Sequence, residues 1–184
     1  MVVLRPLRLE DMGGMLEWMR DKDTQQFFQS PMGERTEKDV ADFIRGAKSE
    51  PEDGGSVHLA VVDAMDEYLG TVSLKNYTGR DRNAEFAISL RPGIRGRGIG
   101  EEATKALLRL AFDKWNLERV YLSVLPENIR AIRLYERCGF TCEGEFLRHL
   151  YIHGEYRDLR WYGMVKEKYE EIKLCTSGGG VNTG

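Results

Sequence analysis

Apolar positions along the chain change period several times, and the changes outline the elements. Arg5 to Leu9 alternates as a short first strand. From Asp11 the period becomes helical, with Met12, Met15, Leu16 and Met19 on one face, although Gly13 and Gly14 weaken that helix. Gln25 to Arg35 reads as irregular, broken by Ser30-Pro31 and Gly33. Thr36-Glu37-Lys38-Asp39 has the form of a capping box, and Val40, Phe43, Ile44 and Ala47 follow at helical spacing. Strands are expected over Ser56–Asp63, Tyr68–Tyr77 and Ala84–Leu90. A glycine- and arginine-rich stretch, Gly93 to Gly100, then gives way to a helix from Glu101 with Ala103, Ala106, Leu107, Leu110 and Ala111 as its apolar stripe. Arg119–Leu125 reads as a strand. Asn128–Cys138 reads as a helix ended by Gly139. Cys142–Ile152 and Glu155–Met164 read as a hairpin turning at His153-Gly154. Residues 1–170 make one domain on this reading, and residues 171–184 a polar tail expected to be disordered. Mixed runs of strands and helices point to an α+β (mixed α/β) sheet with helices on both faces.

Composition narrows the function classes. At 184 residues, 41% hydrophobic and 31% charged, the chain can bury a full core without metals or disulfides. A formal net charge of −3 argues against a dedicated nucleic-acid binder. Cys138, Cys142 and Cys175 form no C-x-x-C pair, so reduced thiols and a cytoplasmic location are expected. No apolar run approaches the length of a membrane span, and no signal peptide pattern opens the chain. His58, His149 and His153 lack metal-ligand spacing, so no metal is expected.

The strongest chemical signal is a strand, then Gly93-Ile94-Arg95-Gly96-Arg97-Gly98-Ile99-Gly100, then a helix. A helix start leaves unpaired N–H groups at the positive end of its dipole. Glycines let the backbone approach a bulky anion, and Arg95 and Arg97 add charge. A phosphate or pyrophosphate is the expected ligand. Glu101 stands where a dinucleotide fingerprint wants its third glycine, and Gly100-Glu101-Glu102 replaces the Gly-Lys-Ser/Thr that ends a P-loop.

The chain resembles the GNAT acetyltransferase superfamily. Arg95-x-x-Gly98-x-Gly100 matches that family's Gln/Arg-x-x-Gly-x-Gly/Ala loop, and Asn128, Ala131, Leu134, Tyr135, Gly139 and Phe140 match its second motif. The ending Tyr151-Ile152-His153-Gly154-Glu155-Tyr156-Arg157-Asp158 looks like the branch containing RimJ/RimL-type protein acetyltransferases, spermidine acetyltransferases and amino-sugar acetyltransferases. The resemblance implies a GNAT fold: a central twisted, mostly antiparallel sheet of about seven strands flanked by about four helices. It implies acetyl-CoA as co-substrate. Main-chain groups of Arg95, Gly96, Arg97, Gly98, Ile99 and Gly100 would hold its pyrophosphate. The ends of Ile88, Ser89 and Leu90 would face the pantetheine arm, with Asn128 and Ala131 opposite. The strands around Ala84–Leu90 and Arg119–Leu125 would splay apart to admit the thioester. Asp158 would lie toward the acceptor end. The acceptor would be a small-molecule or peptide amine, namely a protein N-terminus, a polyamine or an amino sugar. Many members of the family are dimers, so a homodimer is compatible with the resemblance.

Acetyl transfer needs a neutral amine, a polarised carbonyl and a protonated leaving thiol. Deprotonating a lysine-like amine at pH 7 costs roughly 4.6 kcal/mol, against roughly 1.4 kcal/mol for a peptide α-amine. Tyr135 is the candidate general acid, or else an aromatic packed on the sheet. Glu85 is the candidate base, or else a cross-strand charge. Asn128 suits a helix N-cap as well as a cofactor contact. Met12, Met15 and Met19 read as core, and Trp18, Phe27 and Phe28 read as core ahead of an acceptor wall. A non-catalytic acyl-CoA-binding regulatory module is the alternative, and a nucleotide-binding protein is a third reading.

Overall fold

The computed structural model describes residues 1–28 and 30–177. Along the chain run β1 (Val3–Pro6), α1 (Met12–Arg20), α2 (Lys22–Gln25), α3 (Glu37–Gly46), β2 (Val57–Val62), β3 (Tyr68–Thr78) and β4 (Asn83–Leu90). They are followed by α4 (Ile99–Arg109), β5 (Arg119–Val124), α5 (Ile129–Arg137), β6 (Thr141–Ile152), β7 (Glu155–Val165) and α6 (Lys166–Ser177). The strands form one seven-stranded sheet in the order β1-β2-β3-β4-β5-β7-β6. Each neighbouring pair is antiparallel except β4 with β5, which is parallel. This is the mixed α+β architecture that the resemblance implies.

Side chains alternate across the sheet, so each strand feeds two cores. Leu59, Val61, Val72, Phe86, Val120 and Leu122 pack under α4 and α5, against Leu107, Ala111 and Phe112. Ala60, Val62 and Tyr68 face the other way and pack under α1 and α3, against Met15, Trp18, Met19, Val40 and Ile44.

The boundaries depart from the sequence reading at several places. The first strand ends at Pro6 rather than Leu9, because Leu9–Asp11 already turns as a 3-10 helix. That turn is held by Asp11, which is 2% exposed and accepts two bonds of 2.8 Å from the Arg5 guanidinium and one of 2.8 Å from the Arg8 N–H. Helix α1 tolerates Gly14 because Tyr68 lies against it: a Cβ there would come within 2.4 Å of the Tyr68 ring. The stretch read as irregular contains the end of α2 and a 3-10 turn over Met32–Glu34.

A further departure is the tail. Residues up to Ser177 continue a helix that the sequence reading placed in a disordered segment from 171. Tyr169 stacks on Phe112 at 4.7 Å, Ile172 packs on the main core, and Lys173 binds Asp113 at 2.9 Å, so tertiary contacts order this turn. The remainder of the tail lies outside the described residues. No helix among the described residues is long and apolar enough to cross a membrane.

Candidate active site

Strands β4 and β5 pair at three positions only: Asn83 with Arg119, Ala84 with Val120, and Glu85 with Tyr121. Beyond these, β4 stays with β3 as far as Leu90 and β5 stays with β7 as far as Val124. Gly70 lets β4 lie close on β3, since a Cβ there would sit 2.3 Å from the Ser89 carbonyl oxygen. The central strands therefore part, and a cleft of about 570 Å³ opens between them. Ile88, Ser89 and Leu90 line one wall; Ser123, Val124, Asn128 and Ala131 line the other. The splay expected from the resemblance is present.

The glycine–arginine loop closes one end of this cleft. Gly96 and Gly98 have φ of +81° and +79°, a left-handed conformation that favours glycine. A Cβ at either would meet nothing within 4 Å, so open space lies over the loop. Gly98 is the N-cap of α4, and the main-chain N–H groups of residues 96–100 find no acceptor among the described residues. Gly100 has a different reason to be glycine: a Cβ would lie 3.2 Å from Leu134 and 3.3 Å from Leu90, where α4 meets α5 and β4. The residues present fit a pyrophosphate, because N–H donors, a helix N-terminus and free volume converge there. Gly98→Ala is expected to weaken binding of a pyrophosphate-bearing ligand about tenfold, as the loop relaxes out of a left-handed conformation that costs alanine about 1–2 kcal/mol. Titration calorimetry with the expected co-substrate checks this.

Of the loop residues named from sequence, Arg95, Gly96, Gly98 and Gly100 line the cleft. Arg97 is exposed, and Ile99 is partly buried against the main core; neither side chain lines the cleft. The Arg95 guanidinium is no solvated charge. It binds Asp21 at 2.5 Å and also the Thr24 hydroxyl, and Asp21 in turn caps α2 by accepting from the Thr24 N–H at 3.1 Å. The loop is thereby tied to the segment between α1 and α3. Arg130 and Arg137 line the cleft from α5 and were not singled out in the sequence. Their signal was available, because Arg130, Arg133 and Arg137 stand at i, i+3 and i+7 on one helix face.

Asn128 serves as the N-cap of α5, accepting from the Ala131 N–H at 3.2 Å, and lines the cleft as well. Within the last turn of α5 sits Tyr135, 8% exposed. Its ring lies edge-on to Phe86 at 6.0 Å and to Phe140 at 6.1 Å. Its hydroxyl makes no hydrogen bond among the described residues, while the residue lines the cleft. Burial, with a smaller contribution from Cys138, pushes its pKa well above the usual phenol range, so the hydroxyl keeps its proton.

Glu85 lines the cleft at the last paired position. Both oxygens are engaged: Oε1 with the Lys75 ammonium at 3.2 Å and Oε2 with the Asn76 amide at 3.1 Å. Glu85 is thus a cross-strand partner that also reaches the cleft. Asp158 does not line it; its carboxylate accepts from the Arg148 N–H at 2.7 Å, where the β6–β7 register shifts.

A second cavity, of about 490 Å³, adjoins the first beneath α1 and α3. The two share Phe28, Lys75, Ala87, Ile88 and Ser89. Met15, Trp18, Met19 and Phe28 line this cavity, so residues read as core form a wall as well. Asp39, His58 and Ser73 add polar groups to it.

Residues 2–141 match the acetyltransferase (GNAT) domain family. The chain is 33% identical over 117 residues to the spermidine N(1)-acetyltransferase of Vibrio cholerae, covering 64% of this chain and 68% of that protein. It is 37% identical over 98 residues to the spermidine N(1)-acetyltransferase of Escherichia coli K12, and the match spans about half of each, 53%. A crystal structure of the Vibrio cholerae spermidine N-acetyltransferase in complex with CoA and spermine superposes with a TM-score of 0.81 at 25% identity, covering 92% of this chain and 98% of that one.

Proposed function

Since the chain belongs to the GNAT acetyltransferase family and is an acetyl-CoA-dependent N-acetyltransferase, we propose that its acceptor is a polyamine, entering from the cavity beneath α1 and α3. The observation that carries this reading is the parting of β4 from β5 after three pairs, with the unpaired Tyr135 hydroxyl in the gap. The gap connects the two faces of the sheet, so a donor thioester and an acceptor amine can approach from opposite sides. Acetyl-CoA supplies an acetyl group activated as a thioester.

On this reading the chain's residues divide the work. The N–H groups of residues 96–100 and the start of α4 take the pyrophosphate. Arg130 adds positive charge along the same wall, and Arg137, paired with Glu101 at 3.2 Å, borders it. Tyr135 donates its proton to the departing sulfur, and its apolar packing keeps that proton in place until it is needed. Glu85 offers negative charge to the arriving ammonium.

Support for a polyamine comes from the names of the relatives and from the shape of the second cavity. Apolar side chains line most of it; Glu85, bound to Lys75, stands at the cleft, and Asp39 and Arg35 stand at the α3 side. An aliphatic body with an ammonium end toward Glu85 fits that lining. A peptide α-amine, as in the RimJ/RimL branch, is the second reading. The sequence Tyr151–Asp158 and an apolar cavity able to take a first side chain favour it.

The test is release of free thiol from acetyl-CoA with spermidine, with peptides of varied first residue and with amino sugars. Spermidine should give the highest kcat/KM. No thiol with any amine class would overturn the reading. Glu85→Gln should lower kcat/KM for spermidine about fivefold, mainly through KM, because a partly solvated charge contact is worth roughly 1 kcal/mol. Kinetics at fixed acetyl-CoA measures it.

A further inference from the structure

We propose that His58 and Ser73 form a relay that removes the proton from the acceptor's ammonium as it reaches the cleft. The inference rests on the acetyl-transfer reading above and deepens it by supplying the base.

The placement follows from register. His58 on β2 stands opposite Ser73 on β3, and Ser73 stands opposite Ala87 on β4. These three residues form one row across the sheet, on the face beneath α1 and α3. Its last member, Ala87, lies on the strand that borders the cleft. Neighbouring strands are about 4.8 Å apart, so Ser73 is one strand from that wall. An amine at Ala87 can meet the Ser73 hydroxyl directly or through one water. His58, Ser73 and Ala87 all line the second cavity, which shares Ala87, Ile88 and Ser89 with the cleft.

The contacts suit proton transfer. His58 Nδ1 and Ser73 Oγ are 2.8 Å apart, and the ring makes no other hydrogen bond among the described residues. The imidazole is held edge-on by Phe43 at 4.8 Å, and Ser73 is 7% exposed. With the proton on Nε2, Ser73 donates to Nδ1. Several charged groups face this corner. Lys75 comes from β3, with Glu85 of β4 bound to it; Asp39 comes from α3, and Arg35 from the loop before it. Burial, and after it the Lys75 charge, lower the His58 pKa below the ordinary histidine value, so the ring is neutral at pH 7. A neutral ring can accept a proton. Glu85, the other candidate, has Lys75 on one oxygen and Asn76 on the other.

The step balances. One ammonium N–H proton passes to Ser73 Oγ as the Ser73 proton passes to His58 Nδ1, leaving a neutral amine and an imidazolium. The amine's lone pair forms the C–N bond to the acetyl carbon, and the C–S bond breaks. Sulfur takes the Tyr135 proton, and the nitrogen's surplus proton restores the tyrosine. The imidazolium then releases its proton to solvent.

The experiment is the pH profile of kcat/KM for spermidine, or for the best amine of the panel, in the wild-type chain, His58→Gln and Ser73→Ala. The wild type should lose activity on its acidic side as a group with pKa below about 6.5 becomes protonated. His58→Gln should abolish that acidic limb and lower kcat about 100-fold, with the acetyl-CoA KM unchanged. Ser73→Ala keeps the histidine and removes one oxygen atom, and should lower kcat comparably; it carries the test if His58→Gln melts early. A wild-type limb retained in His58→Gln, or full activity in Ser73→Ala, overturns the relay while leaving acetyl transfer intact. Absence of turnover by the wild type with every amine overturns both.

Discussion

Tyr135→Phe is expected to lower kcat by about 100- to 1000-fold without loosening the fold. The substitution removes one oxygen atom. The ring keeps its edge contacts with Phe86 and Phe140, and the lost hydroxyl had no protein partner among the described residues to leave unsatisfied. Stability should therefore match the wild type within experimental scatter, as a thermal melt would register. The acetyl-CoA KM should hold too, because the glycine loop and Arg130 are untouched. The proton held by a phenol pushed well above its usual range is not titrated near neutrality. The Tyr135 step should accordingly impose no alkaline limb below pH 10 on the wild-type profile, since unperturbed tyrosine ionises at about 10. An unchanged kcat in a well-folded Tyr135→Phe protein would leave the residue a packing role alone.

Asp11→Ala should destabilise the protein by about 3 kcal/mol, the lower end of the range for removing one partner of a buried pair. The lower end applies because Arg5, 11% exposed, keeps a second partner in Asp66 at 2.6 Å. What is lost is a two-pronged contact with Arg5 and the acceptor for the Arg8 N–H. For a chain of this size that corresponds to a fall in Tm of roughly 6–12 °C. A calorimetric melt measures it, and a fall smaller than about 2 °C would mean that the pair is effectively solvated. Asp11→Asn retains an acceptor and should fall between the two. The pair joins β1 to the start of α1, whose Met15, Trp18 and Met19 roof the second cavity, so a weakened pair should also raise the acceptor KM.

Much of the site could be read without coordinates wherever backbone conformation dictates residue type. Gly96 and Gly98 adopt positive φ, so their pattern survives in the sequence. Asn128 caps a helix, and His153-Gly154 takes φ of +51° and +86° at a tight hairpin turn. Local rules suffice at these positions. Features set by distant partners stayed hidden. Arg95 meets Asp21, 74 positions away, so its tie to α2 has no local signature. Gly14 weakens α1 by propensity, yet the Tyr68 ring fills the space that a Cβ there would take. The last helix has weak amphipathicity and is ordered through Tyr169 and Ile172 on the main core. His58 and Ser73 face one another only once register is known, because a shift of one residue would send them to opposite faces. The cleft itself arises where two strands choose different neighbours, which no single segment encodes.

The parting of the two central strands also sets how such a catalyst can diverge. On the proposed reading, donor recognition falls on α4, α5 and the loop before them, whereas the far face is roofed by residues drawn from α1 to α3. Changes of diet can therefore accumulate in the first quarter of the polypeptide while the thioester grip is inherited unaltered. The Arg95–Asp21 bridge is where the two inheritances meet. A graft of another member's opening segment should transplant its amine preference only when an acidic partner for that arginine travels with it.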